Sequence, residues 1–315
     1  MDELEIIRLM KTMAGKPPDG WLSIGDDVAV LRGRRAGVVL KSDMLVGKTD
    51  VPPGMTWRQA GRKSVAACVS DFAAKGVSPE ALMVSIGIPR SLSDADIRSL
   101  IKGFGDGMKE WGVRLVGGDT NEADDVVVDC VLVGFSDRVV KRSGAKPGEL
   151  IAVTGDFGRT SAGLKILLDG AKPDPKFRKS ALASVYMPSP RLALGIKLAG
   201  RLSSSMDSSD GLAVCLHTIA RMSGVGMRID RLPCDVPSME RFAETNGYSV
   251  EDLVLYGGEE YEIVATVEKA GIKGAQAIAS SMGEKLTVIG ETTEPPSIVT
   301  MGGRSLRDEG WVHLA

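Results

Sequence analysis

Leu115-Val116-Gly117-Gly118-Asp119-Thr120 is the stretch from which the chain is best read. A β-rich run, Val113 to Val116, meets two glycines and then an aspartate. A strand that ends in Gly-Gly-Asp sets a carboxylate beside bare backbone N–H groups, which can approach a phosphate closely. Further stretches repeat the design: Gly25-Asp26-Asp27, Ser42-Asp43, Asp207-Ser208-Ser209-Asp210-Gly211 and Gly257-Gly258-Glu259-Glu260. Carboxylates at turns bounded by Gly or Ser suit hard cations and phosphates. Local hydrogen bonding by Asp explains any one such turn. Gathered together without cations, that many carboxylates would repel one another and raise their own pKa values. The pattern therefore predicts several Mg²⁺ ions around one polyphosphate, and with them phosphoryl transfer or another ATP-dependent step.

The bulk numbers narrow the class. A chain of 315 residues allows two domains on a prior of roughly 100–200 residues each. With 43% hydrophobic and 25% charged residues it reads as soluble and globular. A net charge of -2 excludes a broad basic surface for nucleic acid. No apolar run approaches the ~20 residues of a membrane span. The acidic start, Met1-Asp2-Glu3-Leu4-Glu5, does not read as a signal peptide. Cys68, Cys130, Cys215 and Cys234 form no CxxC pair, so reduced thiols in a cytoplasmic protein are expected. His217 and His313 are the only histidines, which excludes a multi-histidine metal centre and leaves the chemistry to carboxylates.

Taken in order, the pattern predicts a helix over 2–14 and strands Val28 to Leu31 and Gly37 to Leu40, the second ending at Lys41-Ser42-Asp43. A loop runs from Gly47 to Pro53, and a helix from Thr56 to Ala74 stops at Gly76. Asp71 lies in the last turns of that helix. The helix dipole disfavours a carboxylate there and burial demands a partner, so it reads either as a satisfied core Asp or as a metal ligand. A half-buried strand from Leu82 to Ile88, a helix capped by Ser93 and ended by Gly112, and a long strand from Asp125 to Gly134 follow. Asp124, Asp125 and Asp129 are expected at strand ends or on the solvent face. Arg142-Ser143-Gly144-Ala145-Lys146-Pro147-Gly148 reads as a seam, which divides the chain into domains 1–140 and 141–315. Beyond it come strand Leu150 to Val153, a helix from about Thr160, a charged loop Lys172 to Lys179, helix Leu212 to Met222 and strand Ile263 to Val267. The fold class is mixed α/β (α+β) in two domains, each burying a core.

Familiar nucleotide signatures are missing. There is no GxxxxGK[ST] loop, and Asp156-Phe157-Gly158 lacks the catalytic loop that would make it a protein-kinase motif. Gly155, Gly158 and Gly163 are too loosely spaced for a dinucleotide fingerprint.

The ordered series of motifs nevertheless resembles the thiamine-monophosphate kinase family, within the superfamily of aminoimidazole ribonucleotide synthetases. The matching stretches are Gly25-Asp26-Asp27-Val28-Ala29-Val30-Leu31, Ser42-Asp43-Met44-Leu45-Val46, Ser70-Asp71-Phe72-Ala73-Ala74-Lys75-Gly76, Gly117-Gly118-Asp119-Thr120, Arg142 to Gly148, Asp207-Ser208-Ser209-Asp210-Gly211-Leu212 and Gly257-Gly258-Glu259-Glu260-Tyr261-Glu262. They cover nearly the whole chain. The resemblance implies transfer of the γ-phosphoryl group of ATP to thiamine monophosphate, giving thiamine diphosphate. It implies that Asp27, Ser42, Asp43, Asp71, Asp119, Asp207 and Asp210 hold magnesium. Gly118, Asp119, Arg142, Ser209 and Ile101 would contact ATP. Asp50, Glu259 and Trp311 would contact the thiamine substrate, and Asp71 and Arg142 would neutralise charge at the reacting phosphates. It also implies a homodimer whose N-terminal strands share a barrel, with the site in a cleft between domains. The chain departs from the family at Lys41, where many members have Ser before the Ser/Thr-Asp pair, and over Lys48-Thr49-Asp50-Val51, where many have Gly-x-His-Phe. The alternatives are another ATP-dependent synthetase of the superfamily, which phosphorylates an amide oxygen and then cyclises or aminates, and a non-catalytic nucleotide-binding dimer.

Overall fold

The computed structural model describes residues 29–32, 36–312 and 314. The helix expected over 2–14, the Gly25-Asp26-Asp27 turn with its candidate ligand Asp27, and His313 lie outside them.

The first sheet has five strands. They are β1 (Ala29–Arg32), β2 (Gly37–Val46), β3 (Pro79–Ile88), β4 (Arg114–Glu122) and β5 (Val127–Ser136), in the order β1-β2-β5-β3-β4. All neighbours are antiparallel except β3 and β4. One helical turn, α1 (Gly47–Asp50), follows β2, and two long helices, α2 (Trp57–Lys75) and α3 (Asp94–Trp111), complete this half. Thr56 and Gln59 close α2 with a capping box, and Gly76 at φ 68 ends it in the left-handed conformation that glycine adopts at least cost. Ser93 caps α3 by accepting from the Asp96 N–H.

The second sheet has seven strands: β6 (Leu150–Thr154), β7 (Ser204–Asp207), β8 (Gly226–Ile229), β9 (Ile263–Val267), β10 (Leu286–Thr293), β11 (Val299–Met301) and β12 (Arg304–Ser305). Their order is β12-β11-β8-β10-β6-β9-β7. Helices α4 (Arg159–Leu168), α5 (Pro175–Tyr186), α6 (Leu192–Leu198), α7 (Leu212–Ser223), α8 (Val236–Asn246), α9 (Val250–Leu255) and α10 (Ile272–Ser281) surround it.

Helix α2 locks the two halves together. Its Val65, Cys68, Val69 and Phe72 pack with Val39, Leu45, Leu82, Val128 and Leu132 of the first sheet. Its last turn, Ala73 and Ala74, packs instead with Ala152, Leu194, Leu198, Ile263 and Ala265 of the second half. Contact is close enough that a Cβ on Gly195 would meet the Ala73 carbonyl oxygen at 1.9 Å. A helix buried on nearly every side has no polar face to spare, so its charged residues must find partners inside.

The structure corrects four sequence expectations, the first being the loop from Gly47 to Pro53, which begins with the helical turn α1 closed by Asp50 accepting from the Val46 N–H. Lys41-Ser42-Asp43 is not a strand end, because β2 runs on to Val46 with every residue paired to β5. Gly117-Gly118-Asp119 is not a turn either, because β4 continues through it to Glu122 in parallel with β3, after a register shift at Leu82/Met83. The glycine permits this approach: a Cβ on Gly118 would lie 1.9 Å from the Val84 carbonyl oxygen. The expected loop Lys172 to Lys179 becomes helical from Pro175, with Asp174 accepting from the Phe177 N–H and proline at the first turn, where its missing N–H costs nothing.

Candidate active site

Strand alternation decides which side chains meet. Lys41, Asp43 and Leu45 of β2 pair with Leu132, Cys130 and Val128 of β5 and share their inner face, against α2. Ser42 and Met44 point the other way. The acidic site grows from the inner face. Asp71, 3% exposed near the end of α2, places its carboxylate 2.8 Å from the Lys41 Nζ, and that ammonium lies 3.6 Å from Asp43. Next along α2, Ser70 donates a 2.9 Å hydrogen bond to Asp207 at the end of β7, joining the second sheet to the same point.

Electrostatics follow from this enclosure. Burial pushes the Asp71 carboxyl well above the carboxylate range, and Asp207 adds to the push while Lys41 opposes it. Burial also raises Asp43, again opposed by Lys41. Burial works against the Lys41 charge, but Asp71, Asp43 and Asp207 outweigh it and hold the ammonium well above its ordinary pKa. These are hard oxygen donors short of positive charge, a donor set that fits Mg²⁺. Among the described residues no group of three or more His, Cys, Asp and Glu is arranged to hold a metal ion; Lys41 stands between two of the carboxylates.

A second buried lysine organises the neighbouring turn. Lys63, 2% exposed on α2, pairs with Glu259 at 2.6 Å and donates to the Asp50 carbonyl at 3.0 Å. It thus ties together two residues expected at the thiamine end. Asp50 itself accepts from the Val46 N–H at 2.6 Å and closes the turn α1. Glu259 and Tyr261 both have positive φ, 61 and 52, which costs energy for residues with side chains. Hydrogen bonds from the Glu259 N–H to the Ser209 carbonyl (2.6 Å) and from the Tyr261 N–H to the Ser208 carbonyl (3.0 Å) hold them there. The Gly257–Glu262 and Asp207–Gly211 turns are therefore one unit. Trp311 joins it through its N–H to the Asp210 carbonyl at 2.9 Å, with its side chain exposed. Arg142 is half-buried nearby: burial, Asp207 and Asp210 raise the Cys215 thiol, and Arg142 pulls it back. The remaining glutamates of the turn are structural. Burial pushes Glu260 up to about 8 although Thr160 and the Gly158 N–H donate to it, and Glu262 forms a two-pronged pair with Arg191 at 2.6 and 2.9 Å.

Asp43, Asp71, Asp207, Asp210, Ser209, Glu259, Asp50, Trp311 and Arg142 are thus linked along the seam. The other candidates are elsewhere. Ser42 is on the outer face of the first sheet, giving its hydroxyl to Asp129 at 2.5 Å. Asp119 pairs in register with Ser85, and Ser85 with Asp129, which places it on that outer face too, on an exposed edge strand. Gly118 is on the same strand, and Ile101 is exposed on α3. Asp125, just before β5, ties that end to α1 by accepting from the Lys48 and Val126 N–H groups, as expected of a strand-end residue. Sequence reasoning misses Lys63, because a lysine within a helix ordinarily marks its solvated side. It notices Lys41 only as a departure.

Residues 25–136 match the family described as AIR synthase related protein, N-terminal domain, and residues 146–302 match its C-terminal domain. The chain is 36% identical to a thiamine-monophosphate kinase of Nitrosopumilus maritimus, over 100% of this chain and 99% of that one. It is 35% identical to a Pyrococcus horikoshii protein of the same name, over 93% and 91%. Among solved structures, tt0281 from Thermus thermophilus superposes with a TM-score of 0.88 at 31% identity, covering 97% of this chain and 98% of that one. AaThiL complexed with AMPPCP and TMP also gives 0.88, at 24% identity and 99% and 97% coverage, and shares the two-domain mixed α/β fold.

Proposed function

The chain belongs to the thiamine-monophosphate kinase family, and we propose from its site that it transfers the γ-phosphoryl group of ATP to thiamine monophosphate, giving thiamine diphosphate and ADP. The observation that carries this is the gathering of Asp43 and Asp71 at the half-buried Lys41, with Asp207 of the second sheet tied to the same point by Ser70.

An oxygen of the acceptor phosphate forms a bond to the γ-phosphorus. The bond from that phosphorus to the β–γ bridging oxygen breaks, and its electron pair leaves with ADP. The acceptor oxygen is already anionic near neutral pH, so no general base is required, which suits a chain with two histidines. The obstacle is repulsion between two anions, and it is lowered by alignment and by positive charge placed in advance. Asp43, Asp71, Asp207 and Asp210 at the seam are the candidates to hold Mg²⁺, together with Ser42 and Asp119 of the outer face and Asp27, which lies outside the described residues; Mg²⁺ held there would supply positive charge to the phosphates. Asp71 orients that charge and Arg142 adds its own. Gly118, Asp119, Arg142, Ser209 and Ile101 bind ATP in this reading. Asp50, Glu259 and Trp311 receive the thiamine end, where Lys63 fixes the first two.

The domain division at 140/141 belongs to the same proposal and is supported by sheets drawn from 29–136 and 150–305. So does a homodimer, supported by the exposed Met44, Met83 and Phe135 on the outer face of the first sheet. Among the described residues no helix is long and apolar enough to cross a membrane, and a cytoplasmic enzyme is the proposed setting. The test is direct: protein, ATP and Mg²⁺ are incubated with thiamine monophosphate. Stoichiometric ADP and thiamine diphosphate are expected. ADP without thiamine diphosphate, or with another acceptor only, would overturn the reading in favour of a different synthetase of the superfamily.

A further inference from the structure

Lys41 marks the site but takes no step in the transfer described above, although it is the cation at which Asp71 and Asp43 gather. It is on the same face of β2 as Asp43, two residues away, with its Nζ 2.8 Å from Asp71 and 3.6 Å from Asp43. Its side chain is largely enclosed, at 21% exposed, and Asp71 is enclosed almost completely at 5%. Removing an ammonium from water is costly unless acceptors surround it. Here they do, and a third carboxylate, Asp207, is close enough to act on the same charge.

Geometry makes the ammonium and a divalent ion competitors. Mg²⁺ bonds oxygen at about 2.0–2.1 Å and prefers six ligands arranged octahedrally. An ion bridging Asp71 and Asp43 would have to occupy the space now filled by Nζ, which already touches Asp71 and approaches Asp43. The lysine stem starts on a strand paired through its whole length, so the ammonium cannot leave by backbone movement without breaking β2 from β5.

We propose that the Lys41 ammonium is a built-in counter-ion that takes the place of one divalent cation between Asp71 and Asp43. The inner face is then held together before any metal arrives, and the loaded enzyme carries one divalent ion fewer than its carboxylates would otherwise bind. The charge at that position is one unit rather than two, and it is permanent and independent of metal supply. The idea rests on the kinase reading for the presence of Mg²⁺ elsewhere in the site, but its test does not use turnover.

Wild type, Lys41→Ser and Lys41→Gln are compared. Serine opens the space and offers an oxygen; glutamine keeps the stem and offers a carbonyl, which serves if the serine variant folds poorly. Thermal unfolding is followed in chelator and again with millimolar Mg²⁺. Wild type should change little between the two. The variants should melt about 5–10 °C lower in chelator, by the cost of breaking a buried pair, and recover most of the loss in Mg²⁺. Mn²⁺ bound per chain, counted by electron paramagnetic resonance with a non-hydrolysable ATP analogue present, should be one higher in the variants. Equal Mn²⁺ counts in wild type and variants, or variants whose melting Mg²⁺ does not rescue, would overturn the proposal. Failure of the kinase reading would be seen separately, as no thiamine diphosphate formed by wild type whatever the metal counts.

Discussion

The two faces of the five-stranded sheet share strands and hydrogen bonds yet have opposite characters. On the inner face, Lys41 and Asp43 meet Asp71 and Ser70 of the covering helix in a half-buried to buried setting, and each charge is defined by its neighbours. On the outer face, Ser42, Asp129 and Asp119 stand among exposed Met44, Met83 and Phe135. The backbone differs by one residue of alternation, and the electrostatics differ by the whole cost of desolvation. Adjacent residues such as Ser42 and Asp43, alike as candidate ligands in the sequence, therefore enter different environments. The outer face has the polar groups of a site and the apolar exposure of an interface.

The strongest break of this contrast is Asp71→Asn. Its carboxylate sits between the ammonium and the second sheet, so losing its charge weakens whatever cation the cluster holds. We expect kcat to fall by about a thousandfold, several kcal/mol at the transition state, with circular dichroism unchanged. Activity within about threefold of wild type at ordinary Mg²⁺ would make Asp71 a core residue and the inner face a structural ion pair.

The outer face predicts association. Met44→Asp combined with Phe135→Asp puts two charges on the exposed apolar patch, where a second copy of the chain would bury them. Wild type should sediment as a dimer at micromolar concentration and the double variant as a monomer. A wild-type monomer would sink the shared-barrel architecture and leave this face as ordinary surface.

How much of this contrast is legible in the sequence depends on what sets each feature. The helices Trp57–Lys75 and Asp94–Trp111 can be placed almost to the residue, because Thr56, Ser93, Gly76 and Gly112 are local signals that act through their own backbone. Strand Ile263–Val267 can be placed at its ends, as a short buried β-branched run. The Gly-Gly-Asp strand reads wrongly as a turn because its extended course is imposed by pairing with β3, whose Met83, Val84 and Ser85 lie opposite Gly117, Gly118 and Asp119, 34 positions upstream. The helix from Pro175 escapes notice because proline reads first as a breaker and only in context as a first-turn residue. Within the site, carboxylates announce themselves by type, so Asp43, Asp71 and Asp207 stand out. Lys41 and Lys63 act by burial, which is a property of packing and has no local signature.

Asp119→Asn tests whether the outer face takes part in chemistry at all. The residue is exposed on an edge strand, so the melting temperature should stay within about 1 °C of wild type, as for most surface substitutions. If Asp119 holds a Mg²⁺ ion for the nucleotide phosphates, kcat/KM for ATP should fall about tenfold to a hundredfold, the loss of one charged metal ligand. No change in either quantity would confine the site to the inner face and the seam.

The smallest expected effect is at Trp311, on the rim of the seam. Its backbone N–H is fixed to the Asp210 carbonyl at 2.9 Å, while the residue as a whole is 58% exposed. A tail residue anchored to the acidic turn, with its ring still presented to solvent, is placed to cover a ligand rather than to fill a core. An indole face attracts a cationic ring such as the thiazolium of thiamine by about 0.5–2 kcal/mol. Trp311→Ala should therefore raise KM for thiamine monophosphate by about threefold to thirtyfold and leave KM for ATP and the melting temperature almost unchanged. Steady-state kinetics with each substrate varied in turn separates the readings. Equal losses for both substrates, or a fall in melting temperature that accounts for the lost activity, would return Trp311 to a structural part in pinning the Asp207–Gly211 turn. Phe in its place keeps a ring but weakens the attraction, so Trp311→Phe should fall between wild type and alanine if the contact is with a cation, and match wild type if the residue only fills space.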